Sequence, residues 1–260
     1  MDRVVFESVR KLFRHRPALF NLFGRERGGE TVALNNVSFA APPGAVVALL
    51  GPNGSGKTTT LKLISTMLLP DGGSVRVDGF DAGREAGRVR RLVGIAVATE
   101  RSFFPRLSAR ENLEFFATLD EVPRRERGQR ITEVLRDTGL EDQADTLVMK
   151  FSSGMYQRLG IARALVKRPG VLLLDEPTRS LDAGSMAHFW TTIRALASQR
   201  TTILLATHNF AEAAAVADRV LLLHRGELVA DRSVAGDESA ETLRAFYFRL
   251  TEEGLVIGNL

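Results

Sequence analysis

The sequence predicts an α/β fold built around a mostly parallel β-sheet. Short apolar runs of strand length alternate with helical patterns along most of the chain. Buried strands separated by helices are typical of a parallel sheet covered on both faces. A glycine-rich segment at 51–60, GPNGSGKTTT, lies between one such run and a helical pattern. With 260 residues, the chain is long enough for one large domain with an ample core.

Composition narrows the classes of protein that fit. The chain has no cysteine, which excludes disulfides, zinc–thiolate sites and thiol chemistry. No apolar run approaches the ~20 residues that span a bilayer, and acidic residues near the N-terminus interrupt the pattern of a signal peptide. We therefore expect a cytoplasmic location. The net charge of +4 fits an acidic partner such as nucleic acid, a nucleotide or an anionic membrane surface.

The first thirty residues are basic and are predicted to be irregular. Arginines and lysines alternate there with phenylalanines and leucines. Two interpretations stay open: a solvated extension with a few docked aromatics, or an aromatic contact to a nucleobase beside a membrane-facing or partner-facing patch. Alternation then predicts a strand at 32–39. A Pro-Pro-Gly turn leads into the apolar strand at 45–50.

The segment after this strand predicts phosphate binding. Gly51, Gly56, Lys57 and Thr58 fit the spacing G-x-x-x-x-G-K-[ST], and a helix is predicted at 58–69. Glycines allow successive N–H groups to point at one anion, Lys57 suits the β- and γ-phosphates, and the Thr58 hydroxyl suits Mg²⁺. A plain glycine turn fits the strand–loop–helix context less well. The residues predicted to bind the nucleotide here are Gly51, Pro52, Asn53, Gly54, Ser55, Gly56, Lys57, Thr58 and Thr59.

The next strands and helices are predicted from the spacing of apolar residues and from residues that typically begin or end a helix. Strands are predicted at 74–78 and 89–98, and a helix is predicted to begin at Ser108, with Glu111 completing a capping box. A further helix around 131–140 makes 99–150 a mostly helical subdomain. Helices at 154–167, 185–198 and 211–218 then alternate with strands at 171–175, 201–207 and 220–224, and a last helix is predicted within 240–260.

Polar side chains follow two of these strands. Asp175 and Glu176 end the run VLLLDE, and His208 follows the strand at 201–207. Because the carboxyl ends of parallel strands carry ligand chemistry, Asp175 is suited to hold Mg²⁺ and Glu176 to activate a water. We expect His208 to contact the γ-phosphate at the same edge. A charged turn and a structural histidine are the alternatives, and the nearby phosphate loop disfavours both.

Together with these motifs, the stretch FSSGMYQR at 151–158 resembles the signature of the ABC (ATP-binding cassette) transporter ATPases. The resemblance covers nearly the whole chain. It implies a single ABC ATPase domain over 1–260, of the P-loop type, with antiparallel β and helical subdomains. It also implies MgATP as ligand and a head-to-tail homodimer. Ser152, Ser153, Gly154 and Met155 would contact the ATP of the partner, as would the D-loop residues Ser180, Leu181 and Asp182.

The sequence departs from the family pattern at several positions. Ser153 replaces a glycine and Met155 a glutamine, which leaves Ser152 and the backbone donors in place. Thr99 or Glu100 stands where the family has its Q-loop glutamine, and Glu100 is predicted to bind Mg²⁺ or water. Phe13 matches the position of the family's adenine-stacking tyrosine, with 14–30 as a basic insertion. Phe20 and Phe23 are rivals for that role.

The closest resemblance is to ATPases of exporters for polysaccharides, glycolipids and hydrophobic drugs. We expect a polytopic membrane permease to dock around 100–116, where Phe103 and Phe104 are predicted to be exposed. The protein would then be peripheral, at the cytoplasmic face of the inner (plasma) membrane. The alternative is a soluble ABC ATPase acting on nucleic acid or ribosomes. A single P-loop and the lack of heptads between Lys57 and Ser152 disfavour it, so no nucleic-acid partner is expected. A nucleotide-binding regulator with little turnover is disfavoured by Glu176.

Overall fold

The computed structural model describes residues 2–14, 29–97, 103–179, 181–234 and 239–257, with side chains up to Thr251. The strands are β1 Val4–Arg14, β2 Glu30–Ala41, β3 Val46–Leu50, β4 Gly72–Val77, β5 Phe80–Asp81, β6 Val93–Val97, β7 Val171–Asp175, β8 Thr202–Thr207, β9 Arg219–His224 and β10 Glu227–Ser233. The helices are α1 Lys57–Ile64, α2 Ala86–Leu92, α3 Ala109–Leu119, α4 Arg124–Asp137, α5 Ser153–Leu165, α6 Ala183–Ser198, α7 Phe210–Val216 and α8 Ala240–Ile257. Short 3-10 helices lie at Glu141–Gln143 and Val148–Lys150.

The central sheet has six strands in the order β10-β9-β3-β8-β7-β6. Every pairing in it is parallel except that of β10 with β9, as the apolar runs predicted. All residues of β3, β7 and β8 are buried. The register pairs Leu50 with Thr207 and Asp175 with Ala206, so these three strands end at one edge. The segments that follow them therefore meet there.

A second, antiparallel sheet has the strand order β2-β1-β4-β5. Its strand β1 corrects the prediction that residues 1–30 are irregular. The inward side chains are Val4, Phe6 and Val9, and a register shift lies between Phe6 and Val9 at Ser8, whose φ is 49°. This bulge adds one residue and breaks the period of two on which the prediction of a strand depends. The insertion predicted at 14–30 lies largely outside the described residues.

Two other predicted boundaries were wrong. Helix α1 ends at Ile64 and not near 69, because Thr66 adopts a left-handed φ of 64° and the N–H of Leu68 bonds back to Lys62 O at 3.1 Å. The strand predicted at 89–98 begins only at Val93, since 89–92 belong to α2. Only Val89 of that helix is buried, while its arginines face outward.

The segment 103–150 is helical, and α3 begins with the predicted capping box. Ser108 Oγ accepts from the N–H of Glu111, and the Glu111 carboxylate accepts from the N–H of Ser108. Phe103 corrects a prediction: it is 6% exposed, with its ring edge-on to those of Phe116 and Tyr156. Phe104 is 43% exposed, as expected. The apolar pattern could not separate these neighbours, because burial depends on which one faces α5.

Helix α8 covers the β9 side of the central sheet. Leu243 and Tyr247 pack with buried residues of β3, α7 and β9, and the Tyr247 hydroxyl lies 3.1 Å from His224 Nδ1. Within the described residues, no helix is long and apolar enough to cross a membrane. Helix α7 packs against α8 and against strands β3 and β8 of the central sheet.

Candidate active site

The loop between β3 and α1 takes a shape that only glycine permits. Gly56 has a φ of 108°, and a Cβ there would lie 2.8 Å from Ala33 O and 2.6 Å from a methyl carbon of Leu34. At Gly51 a Cβ would lie 2.2 Å from Leu223 O. All three distances are shorter than the closest contacts that a Cβ atom makes in proteins. The motif glycines thus let the loop pack against β2 and β9 and still open α1 at Lys57.

Lys57 occupies the inside of this loop. Its side chain is buried, and Nζ donates to Gly51 O at 2.8 Å and to Pro52 O at 3.0 Å. Burial lowers the pKa of Lys57, and the nearby charges of Glu176 and Asp175 oppose that shift. Ser55 Oγ is also buried, without a hydrogen-bond partner among the described residues. A buried ammonium and an unpaired hydroxyl in one loop are donors suited to an anion.

Asp175 meets Thr58 across the edge of the sheet. The Thr58 hydroxyl lies 2.9 Å and 3.1 Å from the two carboxylate oxygens of Asp175. Burial raises the pKa of Asp175, while the hydrogen bond from Thr58 opposes the shift. These oxygen donors fit Mg²⁺, a hard cation that takes few protein ligands and completes its shell with phosphate and water. The structure thus brings the predicted metal residues Thr58 and Asp175 together.

Glu176 and His208 also meet at this edge. Glu176 Oε2 lies 2.7 Å from His208 Nδ1. Glu176 has a positive φ of 51°, and its N–H donates to Ala206 O at 2.9 Å. Its carbonyl accepts from Gln157 Nε2 at 2.9 Å. Gln157 was not predicted as a site residue, because its contact joins α5 to the end of β7, a pairing that no local pattern encodes.

A cleft of about 510 Å³ opens beside the loop. Phe13 is among its lining residues, and the Lys11 ammonium lies 5.8 Å from the centre of the Phe13 ring. Phe20, Phe23, Thr99, Glu100 and Ser180 lie outside the described residues. Sequence reasoning missed several lining residues from β2 and from the segments after Thr59 and Glu176. They are Thr31, Val32, Ala33, Lys62 and Arg179.

The signature residues lie elsewhere in the chain. Ser152 is the N-cap of α5, and its Oγ accepts from the N–H of Met155 at 3.2 Å. Ser152 and Ser153 are exposed, and none of the four signature residues from Ser152 to Met155 lines the cleft. Asp182 likewise caps α6, accepting from the N–H of Ser185 at 2.8 Å. Leu181 packs against the core. The structure therefore does not bring the signature and the P-loop of one chain together.

A buried carboxyl that the sequence did not single out lies beneath this edge. Glu212 on α7 is 0% exposed, and neither of its carboxylate oxygens makes a hydrogen bond of good geometry with a described residue. Burial raises its pKa to about 6. The hydroxyls of Thr207 and Thr178 and the charge of His208 oppose this shift, and the charge of Glu176 adds to it. Neither threonine hydroxyl reaches a hydrogen bond of good geometry with the Glu212 carboxylate.

A phosphate loop, a carboxylate–threonine pair and a second carboxylate at the carboxyl edge of a parallel sheet define a P-loop nucleoside triphosphatase. Comparison with known proteins gives the family. The model of the ABC transporter family matches residues 34–179, more than half of the chain. The chain belongs to this family.

Several known proteins resemble most of the chain. The ABC transporter ATP-binding protein NatA of Bacillus subtilis (strain 168) is 35% identical over 86% of this chain and 92% of its own length. The daunorubicin resistance ATP-binding protein DrrA3 of Streptomyces coeruleorubidus is 37% identical over 84% of this chain and 68% of its own length. A dimeric post-hydrolysis structure of the ATP-binding cassette MJ0796, bound to ADP and Pi, is 27% identical. It covers 90% of this chain and 99% of its own, with a TM-score of 0.78.

These findings confirm the predicted fold and class. The chain is the ATP-binding, ATP-hydrolysing subunit of an ABC transporter, and subunits of this kind dimerise and work with membrane permease components. The comparisons do not favour the alternative of an ATPase acting on nucleic acid or ribosomes.

Proposed function

We propose that ATP binds in the cleft beside the P-loop and that Glu176 activates the attacking water. The observation that carries this proposal is the 2.7 Å contact between Glu176 and His208, beside the Thr58–Asp175 pair. His208 Nδ1 contacts the Glu176 carboxylate, and His208 is proposed to donate to the γ-phosphate as well. Catalysis of this kind comes from positioning and electrostatics, since a loose transition state leaves little covalent chemistry to the protein.

The remaining cleft residues bind the nucleotide. Backbone donors from Gly51 to Thr59 surround the phosphates, and Phe13 stacks on the adenine. Thr58 and Asp175 hold Mg²⁺, which when bound neutralises phosphate charge. Glu100 or Thr99 is proposed to complete the site at the Q-loop position. This assignment rests on the resemblance alone.

We further propose a head-to-tail homodimer. Ser152 and the first N–H groups of α5 lie outside the cleft of their own chain. The resemblance implies that these groups bind the γ-phosphate, so the ATP in one chain's cleft needs them from another chain. A second copy would bring its signature and its D-loop residues, Ser180 to Asp182, over the bound ATP. The dimeric state of MJ0796 supports this arrangement.

The permease is proposed to dock on the helical segment, with the protein peripheral at the cytoplasmic face of the inner membrane. Phe104 and Phe115 are 43% and 39% exposed, and their ring centroids lie 4.8 Å apart. They form an apolar patch suited to a partner helix. We propose export of a polysaccharide, a glycolipid or a hydrophobic drug as the task. The similarity to a daunorubicin resistance protein supports the drug class.

The variant Glu176→Gln tests the mechanism and the partner together. It keeps the size of the side chain and removes the base, so we expect ATP hydrolysis to fall ~10²–10⁴-fold while ATP still binds. Glu241→Gln, an exposed glutamate on α8, is the matched control and should hydrolyse ATP normally. Affinity capture of tagged Glu176→Gln from membranes with MgATP should recover a polytopic membrane protein. Recovery of ribosomes or nucleic-acid complexes without a membrane protein would overturn the transport assignment.

A further inference from the structure

Arg179 lies next to the catalytic edge of the sheet. It belongs to the turn that follows β7, where its N–H donates to Glu176 O at 3.3 Å and the N–H of Leu181 donates to Thr178 O at 3.0 Å. These bonds fix its backbone beside Glu176. The side chain is exposed and lines the same cleft as Asp175, Glu176 and Lys57.

The guanidinium of Arg179 is available for a ligand. Among the described residues it makes no ion pair or hydrogen bond, whereas the Lys57 ammonium is held by two carbonyls of its own loop. Lys62, the other cation of the cleft, lies one helical turn beyond Thr58 on α1. Arginine stays ionised at any physiological pH, and its planar donors match the oxygens of a phosphate.

The carboxylates at this end of the cleft make it negatively charged, so a cation there would favour the binding of a phosphate. Asp175 and Glu176 face the place where the terminal phosphate must lie if Glu176 activates the attacking water. Mg²⁺ held by Asp175 would offset one of these charges, but the Glu176 carboxylate would still repel the phosphate, and the repulsion grows with each negative charge on the nucleotide. A guanidinium three residues after Glu176 offsets that repulsion at the terminal phosphate, more than at the phosphates enclosed by the loop.

We propose that Arg179 donates to the terminal phosphate of ATP bound in its own chain and so makes the site prefer the triphosphate to the diphosphate. This inference rests on the proposed nucleotide site. It assigns Arg179 as a residue that binds substrate and determines specificity.

The test compares the binding of two nucleotides to the wild type and to three variants. Equilibrium binding of MgADP and of a non-hydrolysable ATP analogue with Mg²⁺ is measured for wild type, Arg179→Ala and Arg179→Lys. Sedimentation identifies a protein concentration at which the chain is monomeric. Arg84→Ala is the control, since Arg84 is exposed, lies outside the cleft and has no side-chain partner among the described residues.

We expect Arg179→Ala to lose at least about tenfold in affinity for the triphosphate, as for a lost charge-assisted hydrogen bond, and less than twofold for ADP. Arg179→Lys should recover part of the loss, and Arg84→Ala should match the wild type. Equal losses for both nucleotides, or no loss for either, would overturn the inference while the proposed site stands. A loss seen only where dimers form would place the contact across the interface and would also overturn it. A wild type that binds neither nucleotide would refute the proposed site itself.

Discussion

At the scale of single residues, the active edge contains three carboxyls in different surroundings. Asp175 is paired with the Thr58 hydroxyl, Glu176 with His208, and Glu212 is buried with no good hydrogen bond to a described residue. Burial raises the pKa of both Asp175 and Glu212. For Glu212, which is fully buried, the pKa rises to about 6.

Replacing Glu212 by Gln should stabilise the protein at neutral pH. With a pKa of about 6 when folded and 4.5 as the reference, the unfolded chain loses this proton first as the pH rises. The wild type thus loses stability between these two values, by about 2 kcal/mol once both states are ionised. Urea unfolding should show Glu212→Gln more stable by that amount at pH 7 and equal near pH 4. A difference that does not change with pH would contradict this account, and Glu241→Gln should show none.

Phe13→Ala tests the aromatic contact to adenine. Phe13 lines the cleft with 37% of its surface exposed, so removing the ring should cost little stability. Stacking on a base contributes roughly 1–3 kcal/mol, which predicts a loss of about five- to a hundredfold in affinity for ATP and ADP alike. Phe248→Ala on α8, 44% exposed and outside the cleft, serves as control. Unchanged nucleotide binding in Phe13→Ala would exclude the contact.

At the scale of elements, helices α3 and α5 each begin with a serine N-cap, but the two serines lie in different surroundings. Ser108 caps α3 inside a capping box and is buried, whereas Ser152 caps α5 and is exposed. A cap satisfies one N–H of the first turn and leaves others free. In α5 the free donors face outward at the signature, where a second chain would present its ATP.

Ser108→Ala and Ser152→Ala therefore form a matched pair. Each loses a cap and should lower the free energy of unfolding by about 1 kcal/mol. Only Ser152→Ala should also lower the rate of ATP hydrolysis. When combined with Glu176→Gln, it should also weaken the ATP-dependent dimerisation of that variant. Steady-state ATPase assays and sedimentation measure the two effects. Equal activity losses in both variants would mean that stability alone explains them.

At the scale of the whole molecule, the described parts place the nucleotide cleft and the patch at Phe104 on different segments. The cleft lies at the carboxyl edge of the central sheet, and the patch lies on the helical segment 103–150. In the proposed arrangement, ATP binding in the cleft affects the membrane partner docked at the patch. Such coupling is a difference in binding free energy between two states of the assembly.

Phe104→Ser should separate these two functions. Phe104 is exposed, so the fold and the basal ATPase rate should stay close to those of the wild type. Recovery of the membrane partner in the capture experiment should fall severalfold, because the apolar patch loses a ring. Phe103→Ser is the contrasting variant: its ring is buried against Phe116 and Tyr156, so it should destabilise the fold by several kcal/mol. Full recovery of the partner by Phe104→Ser would move the docking surface elsewhere.

The sequence by itself determined the phosphate loop, the parallel strands and the position of Asp175, Glu176 and His208 at their ends. Each of these depends on residues adjacent in the chain: glycines that permit one backbone shape, apolar runs that become buried strands, and polar residues that end them. Only the tertiary structure decided that Phe103 is buried and that Gln157 and Glu212 lie near the active edge. Those contacts join residues far apart in sequence or choose between neighbours. They depend on strand order and on the packing of α5 and α7, which no local pattern specifies.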